Sequence, residues 1–332
     1  MFERMTHETL EKLVRRAFAY AQGQVSFGFQ GGEPTLAGAD FYADLLKLEK
    51  KYNASGIPVF HALQTNGLLL HSDLISVLKE GNFLLGVSLD GMKSIHDARR
   101  IDSSGQGTWD RIQQNLRLLQ QEGIPFNILC VVDEPVARNA QEVFDALKGY
   151  EYLQFIPCLD PLSGAHDANS LTAKSYGEFL CTLWDNYAHI LRSGGFLSIR
   201  TFDNWLQMLR GYPPEGCGLS GVCGKNLIME ADGSLYPCDF YALDEWKIGN
   251  INASSFYAID KSDILQRFIS QSVPIHSDCK ACPYCFLCRG GCRRERDVSG
   301  AIGKNRLCDG LKYFFSEKLS DMTNLAKQMI KV

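Results

Sequence analysis

The sequence of 332 residues lacks a long apolar run, a basic excess and an apolar leader. Its longest apolar stretch, residues 83–89, is far shorter than the roughly 20 residues that a helix needs to cross a bilayer. The net charge of −4, from 34 basic and 38 acidic side chains, argues against a nucleic-acid-binding surface. The N-terminal residues are charged, so we expect no signal peptide there. These features predict a cytoplasmic protein that binds neither membranes nor nucleic acid.

Cysteine is absent from the first part of the sequence and abundant in the last part. No cysteine precedes Cys130, whereas nine of the twelve lie between Cys217 and Cys308. Small secreted domains use dense cysteines as disulfides, but a chain of this length can build a core without them. In a reducing cytoplasm, clustered thiols more often hold metal. The last third of the sequence is therefore predicted to be a metal-binding module.

The first two thirds of the sequence alternate between helical and strand patterns. Thr6 is a suitable N-cap for an amphipathic helix that extends to Ala21. Nearly continuous apolar runs predict strands of a parallel sheet that is buried on both faces. The five predicted strands are residues 25–29, 58–63, 83–89, 126–132 and 152–156. This repeat predicts an α/β fold, either a doubly wound sheet or a (β/α) barrel, and a barrel that opens on a helix would lack its first strand.

Short polar motifs follow three of the predicted strands. They are Gly31-Gly32-Glu33-Pro34, Gln64-Thr65-Asn66-Gly67 and Ser88-Leu89-Asp90-Gly91. Glycine and asparagine after one strand are ordinary turn formers. Three such motifs in succession instead favour a binding site, because barrel enzymes place their active sites at the carboxyl ends of the strands.

The cysteine-rich module surrounds a predicted hairpin. Cys217 and Cys223 precede this hairpin, whose turn is Asp232-Gly233, and Cys238 follows it. The remaining cysteines of the module are Cys279, Cys282, Cys285, Cys288, Cys292 and Cys308. A Cys-x2-Cys pair places two thiolates within reach of one metal ion or cluster, and two four-thiolate sites need eight of these nine residues. Spacing alone leaves zinc and iron–sulfur clusters as open alternatives.

The three post-strand motifs resemble those of radical S-adenosylmethionine enzymes, and the cysteine spacing resembles their SPASM extension, which carries two auxiliary [4Fe–4S] clusters. A closer resemblance, to anaerobic sulfatase-maturating enzymes, extends over essentially the whole chain. The segments that carry it are residues 29–36, 63–67, 126–132, 153–156, 158–162 and 236–241. It implies an incomplete radical SAM (β/α) barrel over residues 1–205, without its first strand. It further implies a SPASM domain over residues 206–332 that ends in a helix from about residue 311 to residue 330.

The resemblance also implies a reaction. Family members cleave S-adenosylmethionine reductively to a 5′-deoxyadenosyl radical, which takes a hydrogen from Cβ of a Cys or Ser in a sulfatase. Oxidation of that residue then yields Cα-formylglycine. The implied partners are the sulfatase polypeptide and a reduced flavodoxin- or ferredoxin-like electron donor.

Individual site residues follow from the same resemblance. Gln64 is expected to contact the substrate peptide, and Asp239 to be the general base that removes the thiol or hydroxyl proton. Arg99 is an alternative to Arg100, and His61 and His96 are expected to be structural. The residues placed around S-adenosylmethionine are Gly31, Gly32 and Glu33 (backbone groups at the amino group), Ser88 and Asp90 (ribose) and Arg100 (carboxylate).

The auxiliary clusters take eight ligands from the cysteine module. The resemblance assigns Cys217, Cys223, Cys238 and Cys292 to the first cluster, and Cys279, Cys282, Cys288 and Cys308 to the second. Cys285 is then left as a free thiol near the second cluster.

One motif of the family does not occur in this sequence. Radical S-adenosylmethionine enzymes bind their catalytic cluster through Cys-x3-Cys-x2-Cys after the first strand, and no such triplet is present. S-adenosylmethionine and a third [4Fe–4S] cluster are therefore expected only if a further N-terminal segment exists, and the printed polypeptide is expected not to form the radical. Two alternatives stay open: a SPASM enzyme that modifies another peptide, and a non-catalytic iron–sulfur protein for electron transfer or binding.

Overall fold

The computed structural model describes residues 4–161, 167–298 and 301–329. Leu162 and Ile330, which end two of the segments discussed above, lie outside the described residues. Six strands form one parallel sheet in the order in which they occur in the chain. They are β1 (Val25–Phe29), β2 (Val59–Thr65), β3 (Phe83–Ser88), β4 (Phe126–Val132), β5 (Tyr152–Pro157) and β6 (Ser198–Ile199). The predicted α/β fold and all five predicted strands are confirmed.

Helices alternate with these strands. They are α1 (His7–Tyr20), α2 (Ala39–Tyr52), α3 (Ser72–Glu80), α4 (Lys93–Asp97), α5 (Trp109–Glu122), α6 (Glu134–Arg138), α7 (Ala140–Leu147), α8 (Ala173–Arg192) and α9 (Arg200–Leu209). The predicted cap of the first helix is confirmed, because Thr6 Oγ1 accepts a hydrogen bond from the backbone N–H of Thr9 at 3.2 Å. None of the helices in the described ranges has the length and hydropathy needed to cross a membrane.

Several elements were not predicted, among them strand β6 and helix α8. Strand β6 pairs in parallel with Tyr152 and Leu153 of β5 and has only two residues, which is too short for an alternating pattern to be recognised. Helix α8 has 20 residues and does carry a readable pattern, since Phe179, Leu183 and Tyr187 are buried at helical spacing. That stripe is the feature from which α8 could have been predicted.

The cysteine-rich module contains several short elements and one long C-terminal helix. They are β7 (Ile228–Met229), β8 (Ser234–Tyr236), β9 (Gly249–Asn250), β10 (Asp297–Val298), β11 (Ala301–Ile302), α10 (Cys217–Ser220), α11 (Phe256–Asp260), α12 (Asp263–Ser272), α13 (Ser277–Lys280), α14 (Cys285–Cys288) and α15 (Cys308–Gln328). Strand β7 pairs antiparallel with β8, with Met229 opposite Leu235. Gly233 adopts a φ of +83°, which favours glycine. The predicted hairpin and its turn are therefore confirmed.

The chain forms two compact units that do not follow chain order. The first unit comprises Met1–Val87, Gln114–Phe126 and Gly224–Gln271, and the second comprises Ser88–Gln113, Asn127–Cys223 and Ser272–Val332. The predicted domain boundary between residues 205 and 206 stays a prediction.

The C-terminal helix α15 packs closely on α8 in the second unit. A Cβ atom added to Gly310 would lie 1.9 Å from the carbonyl oxygen of Ala173, and one added to Gly177 would lie 2.6 Å from the carbonyl oxygen of Gly310. Only glycine allows the two backbones to approach this closely. The packing fixes the start of α15, where Cys308 is the first residue of the helix.

Candidate functional site

The turn after β1 has a conformation that its glycines permit. Gly31 and Gly32 have φ angles of +84° and +56°, in the left-handed region that other residues rarely adopt. A short 3-10 helix, Pro34–Ala37, begins directly after Glu33. The backbone of this exposed turn is thus free of side chains at the position where the methionine amino group is predicted to bind.

The side chain of Glu33 fastens this turn to the end of β2. One carboxylate oxygen accepts hydrogen bonds from the backbone N–H of Thr35 at 3.0 Å, from its hydroxyl at 2.6 Å and from the hydroxyl of Thr65 at 2.8 Å. The other accepts the backbone N–H of Asn66 at 2.7 Å. Because protein groups already occupy both oxygens, a role for Glu33 in ligand binding is left to its backbone.

Asp239 lies beside the residue that follows β1. Its Oδ2 accepts a hydrogen bond from Nε2 of Gln30 at 3.1 Å, and its Oδ1 accepts one from the backbone N–H of Phe240 at 3.1 Å. Cys238 donates its S–H to the same Oδ1 at 3.2 Å. The predicted base is exposed, and Gln30 connects it directly to the Gly31-Gly32 turn. No role was predicted for Gln30 from the sequence. The one feature that could have indicated a role is its position between the end of β1 and the Gly31-Gly32 pair.

Gln64 is the penultimate residue of β2 and is exposed. It lies opposite Gly86 of β3, and Ala62, two residues earlier on the same face, lies opposite Gly28 of β1. Gly86 and Ala62 are therefore small neighbours of Gln64 on this face, and the larger Leu84 lies opposite Ala62. That leaves room for a peptide beside its amide, and the predicted contact stays a prediction.

Asp90 and Arg100, predicted to make separate contacts with S-adenosylmethionine, are paired with each other. Arg100 Nε donates to Asp90 Oδ2 at 2.5 Å and Nη2 donates to Oδ1 at 3.2 Å. Oδ1 also accepts the backbone N–H of Val131 at 2.9 Å, and Asp90 is 4% exposed. Ser88, two residues before Asp90, is half-buried at the end of β3. Two donors of the Arg100 fork are thus occupied within the chain, and the predicted ligand contacts of these residues stay predictions.

Two buried histidines have the structural role that was predicted for them, because protein groups lie at both nitrogens of each ring. His96 Nδ1 accepts the backbone N–H of Asp90 at 3.1 Å, and its Nε2 lies 3.0 Å from Thr108 Oγ1. Burial lowers the pKa of His96 to about 4, so the ring is neutral and donates from Nε2. The two ring nitrogens of His61 lie 2.7 Å from the carbonyl oxygen of Gly81 and 2.8 Å from Glu49 Oε1.

Five cysteines line one cavity in the second unit. They are Cys279, Cys282, Cys285, Cys288 and Cys308. The cavity contains all four predicted ligands of the second cluster, together with Cys285, which the sequence analysis left unassigned. Among the described residues, no three His, Cys, Asp or Glu side chains converge on a single-ion site. Four cysteine thiolates around one cavity are a ligand set that an iron–sulfur cluster can take.

Burial raises the pKa of three thiols that line this cavity. Burial is the largest cause of a rise in the pKa of Cys288 to about 11, and the neighbouring Cys285, Cys279 and Cys282 thiols contribute to the same rise. Burial also raises the pKa of Cys285 and of Cys308. Because a thiol must lose its proton to bind iron, cluster assembly here releases protons.

Three of the four predicted ligands of the first cluster form a second thiol group. Burial raises the pKa of Cys292 to about 11, and the nearby Cys217 and Cys223 thiols add to the shift. A Cβ atom on Gly218 would lie 3.7 Å from Cβ of Cys292, so α10 is close to that residue. The fourth predicted ligand, Cys238, belongs to the first unit and precedes Asp239.

Known protein families match both parts of the chain. Residues 1–145 match the Radical SAM superfamily, and residues 217–283 match SPASM, an iron–sulfur cluster-binding domain. The second match favours iron–sulfur clusters over zinc in the cysteine-rich module.

Individual relatives are similar over nearly the whole chain. A cysteine-type anaerobic sulfatase-maturating enzyme of Clostridium novyi (strain NT) is 40% identical over 334 residues, which cover 99% of this chain and 89% of the relative. A serine-type anaerobic sulfatase-maturating enzyme of Klebsiella aerogenes is 31% identical over 331 residues, 98% of this chain and 80% of the relative. The solved structure of native anSMEcpe with bound AdoMet and Kp18Cys peptide matches with a TM-score of 0.95 at 38% identity, over 98% of this chain and 91% of that one.

Proposed function

This chain belongs to the anaerobic sulfatase-maturating enzymes, and on that premise we propose that it oxidises a cysteine of a sulfatase polypeptide to Cα-formylglycine. The observation that carries the proposal is the exposed carboxylate of Asp239, which is held between Gln30 at the end of β1 and Cys238. Cysteine is the proposed target because identity is 40% with a cysteine-type relative and 31% with a serine-type one. Serine is the second candidate.

The proposed reaction removes two protons and two electrons from the target cysteine. When bound, S-adenosylmethionine and the iron–sulfur clusters supply a 5′-deoxyadenosyl radical that takes a hydrogen atom from Cβ and an acceptor for the second electron. The thiol proton goes to a base, which leaves a thioaldehyde. Water then replaces sulfur, so that hydrogen sulfide leaves and the aldehyde of formylglycine remains.

Asp239 is the proposed base. In the absence of metal, its Oδ1 accepts the S–H of Cys238. A cysteine that ligates iron is a thiolate and has no proton to donate, so cluster binding would release Oδ1 for the substrate thiol. Gln30 would hold the other oxygen and orient the carboxylate. A base must lie within hydrogen-bond reach of the proton that it removes, and exposure of Asp239 gives a peptide that access.

The cofactor sites are assigned to the residues that fit them. We assign the second auxiliary cluster to the five-cysteine cavity, with Cys279, Cys282, Cys288 and Cys308 as ligands. The ligands that we assign to the first auxiliary cluster are Cys217, Cys223, Cys238 and Cys292. For S-adenosylmethionine, the backbone of Gly31, Gly32 and Glu33 would meet the amino group, with Ser88, Asp90 and Arg100 further along the ligand. A reduced flavodoxin- or ferredoxin-like protein is the proposed electron donor, and Gln64 the proposed peptide contact.

The experiment compares two proteins on a cysteine peptide and, in parallel, on its serine counterpart. One protein is the printed polypeptide, and the other, the extended protein, is the same polypeptide preceded by a segment that carries Cys-x3-Cys-x2-Cys. Both are reconstituted anaerobically with iron and sulfide. Each receives dithionite, S-adenosylmethionine and a sulfatase-derived peptide with the target cysteine, or its serine counterpart, and products are read by mass spectrometry. We expect formylglycine and 5′-deoxyadenosine from the extended protein. From the printed polypeptide we expect neither in excess of a no-enzyme control, because it lacks the triplet.

Three other results would contradict parts of the proposal. Formylglycine from a serine peptide but not from its cysteine counterpart would reassign the target. Formation of 5′-deoxyadenosine by the extended protein without modification of either peptide would favour a SPASM enzyme that acts on another polypeptide. If the extended protein holds its clusters but cleaves no S-adenosylmethionine, the proposed activity is wrong, and the non-catalytic alternative stands.

A further inference from the structure

Arg296 is a buried cation whose described hydrogen-bond partners are all backbone carbonyl groups. Arg296 is 2% exposed and follows the 3-10 helix Arg293–Glu295. Its Nη1 donates to the carbonyl oxygen of Pro274 at 3.1 Å, and its Nη2 donates to those of Gly221 at 3.2 Å and Ser272 at 3.0 Å. Among the side chains that the structure describes, Nε has no hydrogen-bond partner and no acidic group pairs with this guanidinium. The acceptors of Arg296 found among them are therefore all neutral.

Burial of an arginine on neutral carbonyls alone is unfavourable. Arginine does not lose its proton in proteins, so it cannot escape the penalty by becoming neutral. A buried charge generally requires a countercharge, because hydrogen bonds alone do not replace its hydration. The position of Arg296 thus points to an anion close by in the functional protein.

The surroundings of Arg296 lead to both groups of thiols in the second unit. On one side, Ser272 binds Arg296 through its carbonyl oxygen, and its hydroxyl accepts the backbone N–H of Cys223 at 2.8 Å. On the other side, a Cβ atom on Gly290 would lie 3.5 Å from Cδ and 3.6 Å from Nη1 of Arg296, and Gly290 lines the five-cysteine cavity. Arg296 therefore lies between Cys223 and that cavity.

We propose that Arg296 is a fixed countercation shared by the two auxiliary clusters and that its charge raises their reduction potentials. This inference rests on the cluster sites assigned under the proposed function. A [4Fe–4S] cluster with four thiolate ligands is an anion, and reduction adds a further negative charge. A nearby positive charge in a water-poor interior stabilises the reduced form more than the oxidised one. Arg296 is in this role a positioning residue, since it touches neither substrate nor reacting atoms.

The test separates the charge of Arg296 from its hydrogen bonds. Arg296→Gln keeps donors for the carbonyl oxygens but removes the charge, whereas Arg296→Lys keeps the charge. Arg138→Gln is the matched control, because that side chain is 71% exposed and paired with Glu134. Each protein is purified anaerobically with its clusters, assayed for iron and sulfide, and titrated potentiometrically with electron paramagnetic resonance as the readout.

We expect Arg296→Gln to make reduction of at least one auxiliary cluster about tenfold less favourable, a shift of about 59 mV for one electron. The Arg296→Lys and Arg138→Gln proteins should keep the wild-type potentials. Loss of iron from Arg296→Gln but not from Arg296→Lys would support the same conclusion, because charge would then decide cluster retention.

Two results would overturn the inference. The first is an unchanged set of potentials in Arg296→Gln. The second is equal loss of iron from the Gln and Lys variants, which would reduce Arg296 to a structural support for three carbonyl groups. A wild-type protein that binds no iron–sulfur cluster would instead refute the cofactor assignment of the proposed function, so the two failures are distinguishable.

Discussion

Gln30 donates a hydrogen bond from its side-chain amide to Asp239, which is 209 residues further along the chain. The contact connects the end of β1 to the segment that follows the β7–β8 hairpin. It brings the proposed base next to the Gly31-Gly32 turn, where S-adenosylmethionine is proposed to bind. A base and a hydrogen-abstracting cofactor must both reach one substrate residue, and this pair of residues sets their separation.

Replacement of Asp239 by asparagine should stop formylglycine formation without removing the clusters. The asparagine keeps the size of the side chain but is a far weaker base, and loss of a general base lowers rates by about 10² to 10⁴-fold. Formylglycine and iron content should be measured in the same preparation of the extended protein. Asp244→Asn, which changes an exposed acidic residue of the same segment, is the control and should retain activity.

Gln30→Ala extends this prediction. It should lower the rate by a smaller factor, about tenfold, because it removes only the hydrogen bond that orients the base. A rate for Asp239→Asn within a few-fold of wild type would exclude Asp239 as the base.

Glu33→Gln should destabilise the first unit. The carboxylate of Glu33 accepts four hydrogen bonds from Thr35, Thr65 and Asn66, and an amide nitrogen in place of one oxygen cannot accept those made to that oxygen. We expect the free energy of unfolding to fall by about 2 kcal/mol, measured by urea denaturation. Glu8→Gln is the control, because the Glu8 side chain is 76% exposed and its pair with Lys12 is on the surface. Equal effects of the two substitutions would show that the Glu33 hydrogen bonds contribute no more to the free energy of unfolding than a surface ion pair does.

Acidification should destabilise the protein through His96. Its pKa is lowered by burial from 6.5 to about 4, so the unfolded chain binds a proton that the folded chain excludes. The contribution of His96 to stability is therefore complete above pH 6.5 and is lost as the pH falls from there towards about 4. The integrated effect is about 3 kcal/mol.

Unfolding free energies measured across this pH range should test the role of His96. The slope should be smaller in His96→Gln than in wild type. A control substitution of the exposed His7 should leave the slope unchanged. Parallel pH profiles for wild type and His96→Gln would rule out His96 as the source.

Gly310→Ala should disrupt the junction between α8 and α15. The added methyl would lie 1.9 Å from the carbonyl oxygen of Ala173, and backbone cannot yield as a flexible side chain does. We expect a loss of at least 1–3 kcal/mol of stability. Iron content should also fall, because Cys308 lies two residues away. Gly149→Ala is the matched control, since no atom lies within 4 Å of its added Cβ. Normal iron loading in Gly310→Ala would show that the junction does not position Cys308.

Local patterns were sufficient for much of the fold. The five predicted strands are apolar runs that end at polar turns, and Thr6 caps α1 through an atom only three residues away. Such features depend on neighbouring residues and can be read from sequence. The hairpin turn at Gly233 belongs to the same class.

Contacts between distant segments could not be read in this way. Nothing in the sequence indicated that Arg100 would turn its guanidinium to Asp90, because a charged residue ten positions away is ordinary in a loop. The neutral surroundings of Arg296 likewise arise only once Gly221, Ser272 and Pro274 are brought together.

The composition of the first unit has a consequence for synthesis of the protein. Strands β1 and β2 and nearly all of β3 come from its first 87 residues, yet the unit also contains Gly224–Gln271, and Thr9 of α1 is hydrogen-bonded to Asn252. A ribosome delivers residues at about 5–20 per second, so the amino-terminal strands must wait for many seconds before the rest of their unit emerges. During that interval the nascent chain exposes apolar surface that the finished unit buries. The yield of folded protein in a heterologous host would then be limited by how well a chaperone protects this early segment, and not by the supply of iron.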